Sequence, residues 1–291
     1  MKRKNLWAAC IAVIGVVLAV GITVYPLISS KLSEQNKSLV LTEYAKTVEA
    51  IDDSGIEEML AAAQEYNASL VPGPHEAFSR DAILAASEDY YDLLNVNEDG
   101  MMGYVEIPKI AVYLPIYHGT DAETLDIGVG HLLGSSLPVG GASTHAVLTG
   151  HSGMATEKMF TDLDQLKPGD CFYVHVLNST LAYEVDQIKI VLPENTDYLG
   201  IEKEVDYCTL VTCTPYAVNT HRLLVRGHRV DYEEPTESEA VPEAVPAEAA
   251  PSTWMQEYIK GILISLFAAA VMTLCMVVFQ PFRKRGKHER R

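Results

Sequence analysis

The sequence predicts a mainly β domain, a closed barrel or a sandwich, with helices before it and a transmembrane helix on either side. Three observations carry this. Seven or eight short β-rich segments fall between Met101 and Tyr232. Apolar residues at helical spacing precede them. Two charge-free apolar stretches lie near the two ends of the sequence, each bordered by basic residues.

The first stretch, Asn5–Ser30, contains no charged residue, and Leu6–Val24 is nearly all apolar. About 20 such residues cross a hydrocarbon core of roughly 30 Å. A cleaved signal peptide is the alternative. Its apolar core is usually shorter, and Ala19-Val20-Gly21 offers only a weak cleavage site, so the segment reads as a retained anchor. The second stretch, Ile262–Phe279, is followed by Arg283-Lys284-Arg285. Lys2-Arg3-Lys4 and this C-terminal cluster place both termini in the cytoplasm, because basic flanks stay inside. The body between the spans is then extracellular.

The 22 basic and 39 acidic residues leave a formal net charge of −17. Three of the bases lie in the first five positions and six in the last nine, so the intervening body is strongly acidic. Such a body does not suit nucleic acid, which demands a basic face. Five cysteines in 291 residues make no disulfide scaffold.

The elements follow in order. Residues 1–30 are the cytoplasmic stub and first span. Residues 31–100 read as a helical extension. Leu39, Leu41, Tyr44, Val48 and Ile51 recur at near-helical spacing, as do Ile56, Met59, Leu60 and Ala63, and Asp53 or Ser54 is placed to cap the second helix. Val71-Pro72-Gly73-Pro74 breaks the pattern.

Residues 101–232 form the β domain. Its strands are Met102–Ile110, Val112–Tyr117, Ala146–Leu148, Cys171–Leu177, Leu181–Leu192, Cys208–Thr212 and Arg222–Val230. Asn178-Ser179-Thr180 signals a hairpin, and Met159–Leu166 reads as a modest helix. Residues 233–258, with Glu-Ala-Val-Pro twice, are an acidic Pro/Ala/Glu-rich tether that cannot bury a core. Residues 259–282 hold the second span, and 283–291 form a basic tail.

Cys10 and Cys275 lie in the spans and read as packing residues, and Cys171 and Cys208 are structural by default. Cys213 differs. It ends the apolar run Thr209–Thr212 and opens into a loop, where a rigid frame presents a reactive side chain. His151 follows a strand and is flanked by Gly150 and Gly153, so other backbone can approach it. Arg222 lies across a turn in the next strand, where a permanent cation can hold an oxyanion. The histidines and acids show no metal-ligand spacing.

Together these signals match a family. The run Thr209-Leu-Val-Thr-Cys-Thr-Pro-Tyr-Ala-Val-Asn-Thr-His-Arg-Leu-Leu-Val-Arg-Gly resembles the active-site segment of class C, pilin-polymerising sortases. Supporting blocks are Met102-Gly-Tyr-Val-Glu-Ile-Pro-Lys-Ile, Leu114-Pro-Ile-Tyr-His-Gly-Thr, Gly130-His-Leu-Leu-Gly-Ser-Ser-Leu-Pro-Val-Gly-Gly and Thr144-His-Ala-Val-Leu-Thr-Gly-His. The resemblance implies an eight-stranded sortase-type β-barrel with N-terminal helices. It also implies a cofactor-free cysteine transpeptidase that cleaves an LPXTG-like signal between Thr and Gly. Cys213 takes the place of the nucleophile, His151 of the acid–base and Arg222 of the arginine.

The implied partners are pilin or surface proteins bearing the signal, with a pilin lysine or a cell-wall precursor amine as acceptor. A housekeeping-type sortase anchoring single proteins is the alternative, and an inert wall-associated scaffold the third reading. Two departures stand out. Ala217 replaces the family's usual glycine. The Asp-Pro-aromatic lid motif is also missing, with Pro74-His-Glu-Ala-Phe-Ser in that neighbourhood and Phe78 as its candidate plug.

Overall fold

The computed structural model describes residues 35–70, 72–73, 77–86, 89–152 and 158–232, with five isolated positions before residue 35. The chain divides into two compact units, Met1–Val24 with Glu248–Arg291 and Tyr25–Ala247. Apart from Gly21, the described residues belong to the second. Apart from the isolated positions Gly21, Tyr25 and Ser29, both expected spans, the 233–258 tether and the basic tail lie outside the described residues. Among the described residues no helix is long and apolar enough to cross a membrane.

Two helices open the unit. Helix α1, residues 35–50, buries Tyr44 and Val48, with Leu41 and Ile51 partly covered. Leu39 was expected on this face but is exposed, because it falls off the 41–44–48 stripe. Tyr44 docks the helix: its hydroxyl donates to the Met102 carbonyl at 2.8 Å and accepts from the Leu177 amide at 2.9 Å.

Helix α2, Asp53–Ser69, buries Ile56, Ala63 and Asn67. Its N-cap is Asp52 rather than Asp53 or Ser54, and the Asp52 carboxylate accepts from the Gly55 amide at 3.0 Å. Asn67 pairs with both backbone groups of Leu137, donating at 3.1 Å and accepting at 2.7 Å. These bonds tie the extension to the barrel. Helix α3, Arg80–Ala86, follows.

Eight strands then close a barrel in the order β1-β2-β3-β4-β7-β8-β6-β5. They are β1 Met101–Ile107, β2 Val112–His118, β3 Val129–His131, β4 Thr144–Thr149, β5 Cys171–Val176, β6 Ser179–Val191, β7 Asp206–Thr214 and β8 His221–Val230. The β2/β3 and β4/β7 pairs are parallel, the others antiparallel. Closure removes the edges that an open sheet would expose. A six-residue helix α4, Ala122–Ile127, lies between β2 and β3.

Three local expectations need correction. Pro108 ends β1 in a 3-10 turn, Pro108–Ile110, since proline cannot donate to the ladder. The β5–β6 turn is Leu177-Asn178, because Val176 already pairs with Ser179. The helix expected over Met159–Leu166 is a turn with one 3-10 segment, Leu163–Gln165. Met159, Phe160, Leu163 and Leu166 are all buried, so core packing produced the helix-like spacing.

Strand alternation builds the site. On β4, β7 and β8, Ala146, Leu148, Cys208, Leu210, Leu223 and Val225 belong to the main core. The residues between them, Val147, Val211 and Leu224, pack with Leu199 as a second cluster on the other face. Successive side chains point to opposite faces, so Thr149, Cys213 and Arg222 share the face of that second cluster.

Candidate active site

Parallel pairing puts the C-terminal ends of β4 and β7 side by side, with Thr149 opposite Val211. His151 lies two residues beyond Thr149, and Cys213 two beyond Val211. Cys213 in turn stands opposite Arg222 on β8. Directly opposed residues of an antiparallel pair share a face with Cβ atoms about 5 Å apart. The three residues singled out in the sequence therefore converge on one outer wall of the barrel.

Hydrogen bonds stitch the His151 segment to the Cys213 strand. The Gly150 amide donates to the Val211 carbonyl at 3.0 Å. The buried Thr212 hydroxyl donates to the Gly150 carbonyl at 2.7 Å, and the Ser152 hydroxyl to the Cys213 carbonyl at 2.6 Å. On the other side the Phe160 amide donates to the His151 carbonyl at 3.0 Å. Gly150 is required here: a Cβ would lie 2.7 Å from the Phe160 ring.

The Arg222 guanidinium is held by local backbone, donating to the His221 carbonyl at 3.1 Å and the Asn219 carbonyl at 3.3 Å. His221, opposite Thr214, turns to the other face. The His151 side chain is about one-third exposed, and its Nε2 lies 3.9 Å from a carboxylate oxygen of Asp126 on α4.

A cleft of about 430 Å³ runs along this wall. Arg222, Thr149, Val211 and Leu224 line it from the barrel, Leu125 from α4, and Phe78 and Ile83 from the segment before the barrel. Phe78 packs against the second cluster, beside Gly134.

Among the described residues, the two other cysteines are unsuited to attack. Burial pushes the Cys208 thiol well above its ordinary range. Burial, with the charges of Glu184 and Asp170, also raises that of Cys171. The thiolate is the nucleophile, so both shifts oppose reactivity. Among the described residues, no group of three or more His, Cys, Asp or Glu could hold a metal ion.

Sequence reasoning missed Thr212, Ser152 and Asp126. The first two act through backbone groups about sixty positions away in the chain. Thr212 carried one usable signal, a polar residue at a core-facing position of an apolar strand.

A strand-end thiol opposite a fixed guanidinium and next to an imidazole-bearing loop, beside an apolar cleft, is suited to acyl transfer from an extended peptide. Comparison with known proteins agrees. Residues 105–230 match the Sortase domain family. Sortase C1 from Streptococcus agalactiae is 44% identical with a TM-score of 0.61, the match covering 67% of this chain and 99% of that one. A pilus-related sortase C of Group B Streptococcus is 42% identical with a TM-score of 0.56, covering 64% and 95%. Sortase D of Bacillus subtilis is 33% identical over 131 residues, covering 44% of this chain and 63% of the relative's length.

The chain belongs to the sortase family of cysteine transpeptidases.

Proposed function

We propose that this protein is a two-pass membrane sortase that polymerises pilins. The observation that carries the reading is the pairing of Cys213 with Arg222 beside the His151 segment, on the wall lined by the apolar cleft. The pilus-related relative supports the choice of substrate.

The reaction has two halves. The Cys213 sulfur attacks the Thr–Gly carbonyl of an LPXTG-like signal while its proton passes to His151. Arg222 faces the developing oxyanion with a charge that is always present. The C–N bond breaks, and the imidazolium returns the proton to the departing glycine amine, leaving a thioester. An incoming lysine amine then attacks the thioester. Its proton passes through His151 to the departing Cys213 sulfur as the C–S bond breaks, and an isopeptide bond joins the two subunits.

Around this core, residues 1–30 and 259–282 span the membrane, 31–100 pack as the helical extension, 101–232 form the catalytic barrel, and 233–258 tether it to the second span. Both termini are cytoplasmic and the barrel extracellular. Phe78, seated in the cleft, acts as a plug that an arriving signal displaces.

The test is mass spectrometry of the full-length protein in detergent with an LPXTG peptide. A thioester adduct on Cys213 is expected, absent from Cys213→Ala and resolved by a lysine amine. An adduct that turns over on a cell-wall precursor amine and ignores pilin lysine would make the enzyme a housekeeping type. No adduct at all would leave an inert scaffold.

A further inference from the structure

Helix α4 carries none of the three residues assigned to the transfer, yet its placement is controlled at both ends. Asp121 caps its start, accepting from the Thr124 amide at 3.0 Å and the Thr124 hydroxyl at 3.1 Å. At its end a Cβ on Gly128 would come within 2.7 Å of the Pro115 carbonyl and 2.8 Å of the Tyr117 ring, so glycine lets the helix end lie on β2. Leu125 turns into the cleft that Arg222 also lines. The next residue, Asp126, brings its carboxylate to 3.9 Å from His151 Nε2. That separation is longer than a hydrogen bond. At that separation a carboxylate attracts by Coulomb interaction a cation formed on the ring during reaction.

We propose that Asp126 is a positioning residue for His151, its carboxylate orienting the imidazole and stabilising the imidazolium that forms in each half of the transfer. The inference rests on the acyl-transfer reading, in which His151 accepts a proton from Cys213 and later from the incoming amine. Asp126 keeps its charge throughout and takes no proton. It draws Nε2 toward itself when the ring becomes cationic and leaves Nδ1 for the exchange at sulfur and amine. Both partners are solvent-accessible, 36% and 66% for the side chains. The effect therefore falls in the range of exposed pairs, about two- to fivefold in rate, and is screened by salt.

The experiment compares wild type, Asp126→Asn, Asp126→Glu and Glu123→Gln as full-length protein in detergent. An LPXTG peptide is the donor and Nα-acetyl-lysine amide the acceptor, and thioester formation and aminolysis are timed separately. Asp126→Asn is expected to slow both steps about two- to fivefold through kcat with little change in KM. Asp126→Glu should recover most of the loss. Glu123→Gln, which removes a charge one turn away on the same helix, should behave as wild type. Raising the salt to about 1 M, where the screening length is about 3 Å, should bring wild type down to Asp126→Asn and leave the variant unchanged.

A loss below twofold, an equal loss in Glu123→Gln, or a loss indifferent to salt would overturn the proposal. A defect confined to aminolysis would also overturn it, assigning Asp126 to the incoming ammonium instead. His151→Ala separates the two levels. If it is inactive while Asp126→Asn is normal, only this inference fails; if it remains active, the acyl-transfer reading itself fails.

Discussion

The two ends of the β4–β7 strand pair are built from the same parallel ladder and put to opposite uses. At the N-terminal end Thr144 pairs with Asp206, and polar groups there are consumed by one another. The Asp206 carboxylate accepts from the Gly141 amide at 2.9 Å, the Tyr183 hydroxyl at 3.0 Å and the Thr144 hydroxyl at 3.2 Å. His145, one residue on, bonds the Gly200 carbonyl through Nδ1 at 2.8 Å and the Thr209 hydroxyl through Nε2 at 2.7 Å. The carbonyl fixes a proton on Nδ1, and because burial keeps the ring neutral, Nε2 accepts from the Thr209 hydroxyl and both nitrogens are used. At the C-terminal end the stitching bonds run through backbone groups and the hydroxyls of Thr212 and Ser152. They hold the chain by its backbone, so that Cys213 stays opposite Arg222, which lines the cleft, with the His151 segment beside them. One histidine on this ladder is locked by its partners, and the other is presented by them.

The strongest way to break this contrast is to truncate both histidines. His151→Ala should lower the rate of thioester formation by about 10²–10⁴-fold, the usual contribution of a general acid–base, with an unchanged melting curve. His145→Leu should do the reverse. It leaves the buried Thr209 hydroxyl and the Gly200 carbonyl unpaired, costing about 2–4 kcal/mol, while activity per folded molecule stays near wild type. Loss of activity in folded His145→Leu would mean that the two ends are coupled.

Acid sharpens the same point. Burial pushes His145 and His131 down to about 4 from an ordinary value of 6.5, and His118 moves in the same direction. A depressed histidine is neutral in the folded state while the unfolded chain takes up protons. Stability is therefore full above about pH 6.5 and falls as pH drops toward 4. Each of the two strongly shifted rings removes about 3 kcal/mol by pH 4. Thermal melts between pH 7 and 4 should show this decline, and His145→Leu should have a shallower acid limb than wild type. Equal slopes would place the proton uptake elsewhere.

Asp206→Ala comes next in size. It strands the buried Tyr183 hydroxyl, while the exposed Gly141 amide turns to water, and a loss of about 1–3 kcal/mol in chemical denaturation is expected without change in the transfer rate.

The open end was more legible in the sequence than the closed one. Cys213 and Arg222 sit near strand ends within a dense family motif, and His151 follows a strand between glycines, which is what singled them out. Most strands were also legible, because alternation leaves a period of two. The rest failed for identifiable reasons. Strand β3 has three residues, too few to show a period. Helix α4 has six and no buried residue, so no apolar stripe announced it or the placement of Asp126. The Asp206 and His145 networks join positions far apart in the chain, and polar residues inside strands look like surface until their partners are known.

The smallest effect concerns the loop that follows Cys213. The family usually places glycine where this chain has Ala217, and the backbone there is left-handed, with φ of +63°. An alanine Cβ in that region costs about 1–2 kcal/mol. Replacing it with glycine removes the strain, but glycine also widens the freedom of the unfolded chain, returning about 0.5–1 kcal/mol of the gain. Ala217→Gly should therefore stabilise the protein by less than about 1 kcal/mol, read as a small rise in denaturation midpoint. The loop joins the strand carrying Cys213 to the strand carrying Arg222, whose guanidinium bonds the Asn219 carbonyl two residues beyond Ala217. If the strained alanine helps to hold Arg222 in place, the variant will gain stability and lose transfer rate together. If β7–β8 pairing alone sets that position, stability will rise with the rate unchanged, and this second outcome is expected because Cys213 and Arg222 are already opposed in the ladder.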